Sequence, residues 1–88
     1  MGKLTLKERT AAREQKIIEK FGPNDTQEKI VNLCGTTYGI YTYDEHVYVI
    51  NYDEGNDFPF EYLSEEEQES AIEKLITKGE YELGVQPL

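Results

Sequence analysis

The chain has 88 residues, with 18 acidic against 9 basic side chains, a formal net charge of −9 and a pI near 4.5. With 38% apolar residues at this length, we expect residues 1–88 to form a single small domain, since too few side chains are available for two cores. The negative charge would be repelled by nucleic acid and by anionic membrane surfaces. We therefore expect neither as a direct partner, and we expect a basic protein partner instead.

The start of the chain lacks the apolar run of a signal peptide, and no stretch approaches the ~20 apolar residues of a membrane span. The single cysteine has no pairing partner, which excludes an internal disulfide framework. A reducing compartment is the usual setting for such a chain. We therefore expect a soluble, cytoplasmic protein.

The first predicted element is a polar, basic helix within residues 1–21. Thr5 followed by Glu8 has the spacing of a capping box, and Gly22 with Pro23 forms a stop signal, so the helix should run from Leu6 to Lys20. Residues 1–20 carry six basic against three acidic side chains, a net charge of +3. Because its apolar stripe is thin, we expect this helix to pack only through its C-terminal half.

A second, shorter helix is predicted from Thr26 to Cys34. Asp25 and Glu28 again have capping-box spacing, Ile30, Leu33 and Cys34 fall on one helical face, and Gly35 follows. The alternative for residues 25–34 is a strand from Lys29 to Leu33, because that segment contains adjacent β-branched residues.

The segments Thr37 to Tyr43 and His46 to Tyr52 are rich in Tyr, Val, Ile and Thr and predict a β-hairpin. If Asp44-Glu45 is the two-residue turn, Tyr41 lies beside Tyr48. Asp-Glu is a poor sequence for a type I′ turn, which needs two positive φ angles. A four-residue loop that keeps the same pairing parity is therefore an equal alternative.

The remaining segment predicts an extended stretch, a helix and a short strand. Phe58 to Tyr62 reads as extended, and Pro59 confines it to an edge strand or a covering loop. Ser64 opens a third capping box, and the helix that follows should end at Gly79. Its apolar stripe consists of Ala71, Ile72, Leu75 and Ile76. Tyr81 to Val85 alternates and could add a short strand.

These elements compose an α+β fold, ordered α-α-β-β-(β)-α-(β), with the helices on one face of a short antiparallel sheet. The aliphatic face of the hairpin should lie beneath the helices. The opposite face then carries an aromatic set that we call the tyrosine face: Tyr41, Tyr43, Tyr48, Ile50 and Tyr52. Either another segment of the chain covers this face, or it is an interface, for which a homodimer is the simplest arrangement.

Groups suited to catalysis or metal binding are scarce. Cys34, expected at a buried helix end, and His46, at a strand end, are the sole cysteine and histidine, and nothing in the sequence brings them together. Two such side chains cannot build a typical zinc site, and no phosphate-binding loop is present. We therefore expect no enzyme activity, no cofactor and no metal site.

The charge pattern points to protein binding. Residues 44–82 carry thirteen carboxylates against Lys74 and Lys78, a net charge of −11. Carboxylates on a rigid surface can imitate a row of phosphates, so the sequence favours an inhibitor or modulator of a basic, nucleic-acid-handling protein. The predicted acidic surface consists of Asp53, Glu54, Asp57, Glu61, Glu65, Glu66, Glu67, Glu69 and Glu73.

Two alternatives stay open. The protein could be a homo-oligomeric accessory protein whose carboxylates serve solubility alone. It could also be a small regulator whose basic first helix contacts nucleic acid, although three glutamates within that helix weaken its positive electrostatic potential. We expect instead that this helix docks on the acidic surface of its own chain or of a second copy.

Overall fold

The computed structural model describes residues 3–84 and confirms the mixed α+β fold. Helix α1 spans Leu6–Phe21 and begins at the predicted capping box. The Glu8 backbone N–H donates to the Thr5 hydroxyl at 3.1 Å, and the Glu8 carboxylate accepts from the Thr5 backbone at 2.9 Å. Gly22 ends the helix with a φ of 101°.

The described residues form one antiparallel sheet in the order β4-β3-β2-β1-β5. Its strands are β1 Lys29–Leu33, β2 Thr36–Tyr43, β3 His46–Asn51, β4 Asn56–Pro59 and β5 Glu82–Leu83. β4, with Pro59, lies at one edge as expected for a strand that contains proline. The predicted C-terminal strand is confirmed as β5 at the other edge, and Val85 lies outside the described residues.

The predicted second helix is wrong, because Lys29–Leu33 forms β1, the alternative that the sequence left open. The side chains of Lys29, Val31 and Leu33 alternate toward the core. The buried ammonium of Lys29 donates hydrogen bonds to Asp25 and to the Gln27 carbonyl. Because a charged residue occupies this core-facing position, the sequence lacks the apolar alternation that would have indicated a strand. Cys34, predicted at a buried helix end, is instead exposed in the turn between β1 and β2.

The hairpin of β2 and β3 has the register given by a two-residue turn at Asp44-Glu45. Tyr41 pairs with Tyr48, and Ile40 pairs with Val49. Asp44 and Glu45 both have positive φ, at 50° and 63°, as a type I′ turn requires despite their unfavourable residue types.

The chain after β4 differs from the sequence prediction at one point. The extended stretch ends at Pro59, and Phe60–Tyr62 forms a single 3₁₀ turn that buries Phe60 and leaves Tyr62 exposed. Helix α2 then spans Glu65–Ile72 from the predicted cap at Ser64, and a π-helical segment, Glu73–Lys78, continues it. The left-handed residue Gly79 ends the segment, as predicted.

Both helices pack on the same face of the sheet and enclose one core. Alternate residues of β1, β2 and β3 point into it, as do Ile17 of α1 and Phe60 of the 3₁₀ turn. Ala71 and Leu75 contribute the buried part of the predicted stripe on α2 and the π-helical segment. The core consists of Ile17, Val31, Leu33, Tyr38, Ile40, Val47, Val49, Phe60, Leu63, Ala71 and Leu75.

Helix α1 packs over more of its length than we predicted. Thr10, in its first half, is buried and donates to Gln68 of α2 at 3.0 Å. Arg13 donates to the same amide oxygen at 2.9 Å. An apolar stripe in the sequence does not reveal this contact, because polar side chains make it.

Candidate functional site at the open face of the sheet

The tyrosine face lies on the side of the sheet opposite both helices, which we call the open face. The pairing register and the alternation of side chains place Tyr41, Tyr43, Tyr48 and Ile50 there. The contact of the Tyr52 ring with the position of Gly39 places the fifth predicted residue there too. The Tyr41 and Tyr48 rings stack with centroids 5.5 Å apart and an interplanar angle of 25°. Tyr43 and Tyr52 are exposed at 57% and 44%, so within residues 3–84 no segment buries this face.

Gly39 lies in the middle of the open face, and the side chains of Glu28 and Tyr52 cover it. A Cβ atom at this position would lie 2.5 Å from Oε1 of Glu28 and 2.9 Å from Cε2 of Tyr52. The missing side chain therefore lets the Tyr52 ring and the Glu28 carboxylate come close to the strand. The Tyr52 hydroxyl donates a hydrogen bond to Glu28 Oε1 over Gly39.

Two carboxylates lie near the Tyr41 hydroxyl. Burial is the main reason that the pKa of Tyr41 is raised, and the charges of Asp57 and Glu28 raise it further. Burial, together with the hydrogen bond to Glu28, also raises the pKa of Tyr52 to about 12. These hydroxyls thus stay protonated at neutral pH and can act as donors.

We name this constellation the tyrosine–carboxylate site and define it as Glu28, Tyr41, Tyr48, Tyr52 and Asp57. No strand supplies a lysine or arginine to its face, because the one such residue in β1 to β5, Lys29, is buried on the helix side. Among the described residues, neither Glu28 nor Asp57 forms a salt bridge. The site therefore presents aromatic surface beside two negative charges that no cation neutralises.

Four carboxylates of the predicted acidic surface have structural partners on the helix side. Glu65 accepts from Arg9 at 2.5 Å and from Arg13 at 3.1 Å, and these bonds, the Arg9 bond foremost, lower its pKa. Glu69 also contacts Arg13, at 3.3 Å. Burial alone would raise the pKa of Glu67, but hydrogen bonds from Tyr38 and Ser64 outweigh it and lower the pKa. Glu73 pairs with Lys78.

The other five carboxylates of that surface are exposed and lie on four different segments of the chain. Asp53 and Glu54 lie in the turn between β3 and β4, and Asp57 is on the open face. Glu61 lies in the 3₁₀ turn, and Glu66 lies in the first turn of α2. Among the described residues, none of these five carboxylates forms a salt bridge.

The basic first helix docks on acidic residues of its own chain. Both arginines of the protein, Arg9 and Arg13, lie in α1 and contact the N-terminal half of α2. This arrangement is the intramolecular docking that the charge pattern favoured. It leaves fewer free cations on α1 for contact with phosphates.

Other candidate features lie apart from the open face. Cys34 and His46 are at opposite ends of β2. Within residues 3–84, no three His, Cys, Asp or Glu side chains gather as metal binding requires, and no helix is long and apolar enough to cross a membrane. A surface cleft of about 540 Å³ separates α1 from the 3₁₀ turn and is lined by Leu6, Lys7, Thr10, Ala11, Glu14 and Glu61.

Sequence reasoning missed Glu28 as a site residue because its spacing from Asp25 suggested a helix cap. Asp25 instead accepts a hydrogen bond from the Gln27 backbone and pairs with Lys29. Gly39 gave a usable signal, since a glycine inside an aromatic strand often marks close approach of another group. The chain matches no protein-family model, no curated protein and no solved structure.

Proposed function

We propose that this protein is a non-catalytic binding module that inhibits or modulates a basic, nucleic-acid-handling protein, and that it contacts this partner through the open face. One observation carries the proposal: stacked tyrosines lie beside Glu28 and Asp57, whose charges no cation of the described chain neutralises. Tyrosine contributes large contact area with little loss of conformational entropy and keeps a polar tip. The two carboxylates add a requirement for positive charge in the partner.

The overall charge supports a basic partner. A net charge of −9 attracts a positive protein at long range and speeds association at low salt. Exposed carboxylates away from the open face, such as Glu54 and Glu66, contribute to this field without contacting the partner. Proteins that handle nucleic acids expose Lys and Arg clusters for phosphates, and these clusters suit such a field.

Self-association through the open face is the alternative, since the exposed tyrosines give it apolar area. Two copies placed face to face would bring Glu28 and Asp57 of each chain into one interface. Desolvating like charges together is costly. The same carboxylates that would weaken a homodimer would strengthen a complex with a basic partner, which is why we favour the latter.

The test is affinity capture from native lysate with three tagged forms of the chain. The first is the unmodified protein, and the second carries Glu28→Gln with Asp57→Asn. The third, a control with the same change in net charge, carries Glu54→Gln with Glu66→Gln at two exposed positions. Bound proteins are eluted with a salt gradient and, separately, with added DNA.

We expect the unmodified protein and the control to retain a basic nucleic-acid-handling protein that salt and DNA both release. The Glu28→Gln/Asp57→Asn form should lose it at lower salt. If both double variants lose the partner at the same salt concentration, binding depends on the net charge of the protein, which would contradict a role for the open face. Recovery of the untagged chain alone would favour the homo-oligomeric alternative.

A further inference from the structure

The arrangement of the tyrosine–carboxylate site restricts which cation fits it. Asp57 pairs with Ile50, and Ile50 pairs with Gly39, so a carboxylate lies at the β4 end of the cross-strand row that contains Gly39. The next row along the strands holds the stacked pair of Tyr41 and Tyr48. Aromatic faces and a carboxylate therefore occupy neighbouring positions on one surface.

We infer that this site recognises the guanidinium group of an arginine side chain in the partner, in preference to the ammonium group of a lysine. The inference rests on the proposed function and specifies its partner chemistry. It concerns one side chain of the partner, whereas the proposed function concerns the whole contact surface.

A guanidinium group meets both features of the site at once. Its plane stacks on an aromatic ring, and its N–H groups form a fork that matches a carboxylate. An arginine that lies over Tyr41 or Tyr48 can direct this fork toward Asp57. An ammonium group is compact and strongly hydrated, so it can satisfy the carboxylate but gains less from the ring.

The absence of a side chain at Gly39 brings the second carboxylate, that of Glu28, close to the same strand surface. Tyr52 already donates to Glu28 there, which holds the carboxylate at the strand surface. A carboxylate accepts several hydrogen bonds, so Glu28 retains capacity for a guanidinium donor. Neither arginine of this chain competes for the site, since Arg9 and Arg13 are bonded to Glu65 on the helix side.

The test uses two capped tetrapeptides of equal charge, tetra-arginine and tetra-lysine, titrated at one fixed salt concentration. Amide and aromatic NMR spectra report affinity and location for the full chain. Tyr41→Leu and Tyr48→Leu remove the stacking surface, and Tyr62→Leu is the control because Tyr62 is 73% exposed in the 3₁₀ turn, outside the site. Dispersed amide spectra identify the variants that have folded.

We expect tetra-arginine to bind about three- to tenfold more tightly, the range given by a cation–π contact of roughly 0.7–1.4 kcal/mol. It should shift the Tyr41 and Tyr48 ring signals, and either leucine variant should reduce its affinity to that of tetra-lysine. Gly39→Ala, which pushes Tyr52 and Glu28 outward without removing a polar group, should weaken both peptides.

Equal affinity of the two peptides, with shifts at the open face, would overturn arginine selectivity and leave the proposed basic partner standing. Shifts confined to other carboxylates, such as Glu54 or Glu66, would overturn both the inference and the use of this face. Tetra-arginine selectivity that survives in both leucine variants would place the selectivity elsewhere and also overturn the inference.

Discussion

Tyr38 joins the sheet to the N-terminus of α2 through one short hydrogen bond. Its hydroxyl donates to Glu67 Oε2 at 2.5 Å, while Glu67 Oε1 accepts from the Ser64 backbone in the capping box. One carboxylate thus serves a buried tyrosine and a helix cap. Burial, with added effect from Glu67, raises the pKa of Tyr38 to about 12, so the hydroxyl stays a donor.

Replacing Tyr38 with phenylalanine removes this bond while keeping the ring. We expect Tyr38→Phe to lower the free energy of unfolding by about 1.5–3 kcal/mol, the usual net value of a hydrogen bond to a charged group. Tyr62→Phe, at an exposed hydroxyl, is the matched control and should change it little. Urea denaturation measures both, and equal midpoints would show that the Tyr38 bond contributes nothing.

Glu14 gives a prediction about pH. Burial raises its pKa above the usual 4.5, and the nearby charge of Glu61 adds to this, while His46 acts in the opposite direction. A raised pKa in the folded state means that ionisation of Glu14 opposes folding. This cost is absent below the unfolded pKa and develops as the pH rises through the folded value.

We therefore expect Glu14→Gln to raise the thermal midpoint at pH 7 and to leave it unchanged near pH 3. Glu19→Gln, at an exposed position on the same helix, is the control and should have little effect at either pH. Thermal unfolding followed by circular dichroism at the two pH values measures the difference. A Glu14→Gln midpoint that falls at pH 7 would contradict the assigned cause.

At the scale of elements, α1 is held to α2 mainly by polar contacts in its first half. Arg13 is the centre of this contact, with its side chain 13% exposed and bonds to Glu65, Gln68 and Glu69. Thr10 adds a buried hydroxyl that donates to the same Gln68. The buried Ile17 fixes the second half of the helix to the core.

Removal of Arg13 should therefore destabilise the fold even though the residue is charged and lies on a polar helix. We expect Arg13→Ala to cost about 1–3 kcal/mol, because it removes charge-assisted hydrogen bonds to Glu65 and Gln68 from a side chain that is largely buried. Lys16→Ala removes an exposed cation from the same helix and should cost far less. Guanidinium or urea midpoints measure both, and similar midpoints would refute this account of how α1 docks.

The elements that the sequence predicted well have local signals, and those that it predicted poorly depend on distant partners. The capping boxes at Thr5 and Ser64 are set by neighbouring residues, and both were located correctly. Strand β1 was hard to predict because Lys29 points into the core. This position depends on the ion pair with Asp25 and on the Phe21 ring, whose centroid lies 4.6 Å from the ammonium nitrogen. Local periodicity carries no information about such a contact.

At the scale of the whole molecule, the sheet separates the negative charges that the sequence places together. Asp57 and Glu65 are close in the chain, but the first lies on the open face and the second is bonded to α1 on the helix side. The sequence predicted the tyrosine face from strand alternation alone. It could not predict which carboxylates stay free, since that depends on the docking of α1.

The central claim is that the open face contacts a basic partner, and carboxyl footprinting of the captured complex tests it most directly. A carbodiimide with a small amine labels exposed carboxylates, and mass spectrometry compares labelling in the free and bound chain. We predict protection of Asp57 and Glu28 in the complex, with Glu54 and Glu66 labelled as in the free protein. Protection of Glu54 and Glu66, with Asp57 and Glu28 still labelled, would contradict the account.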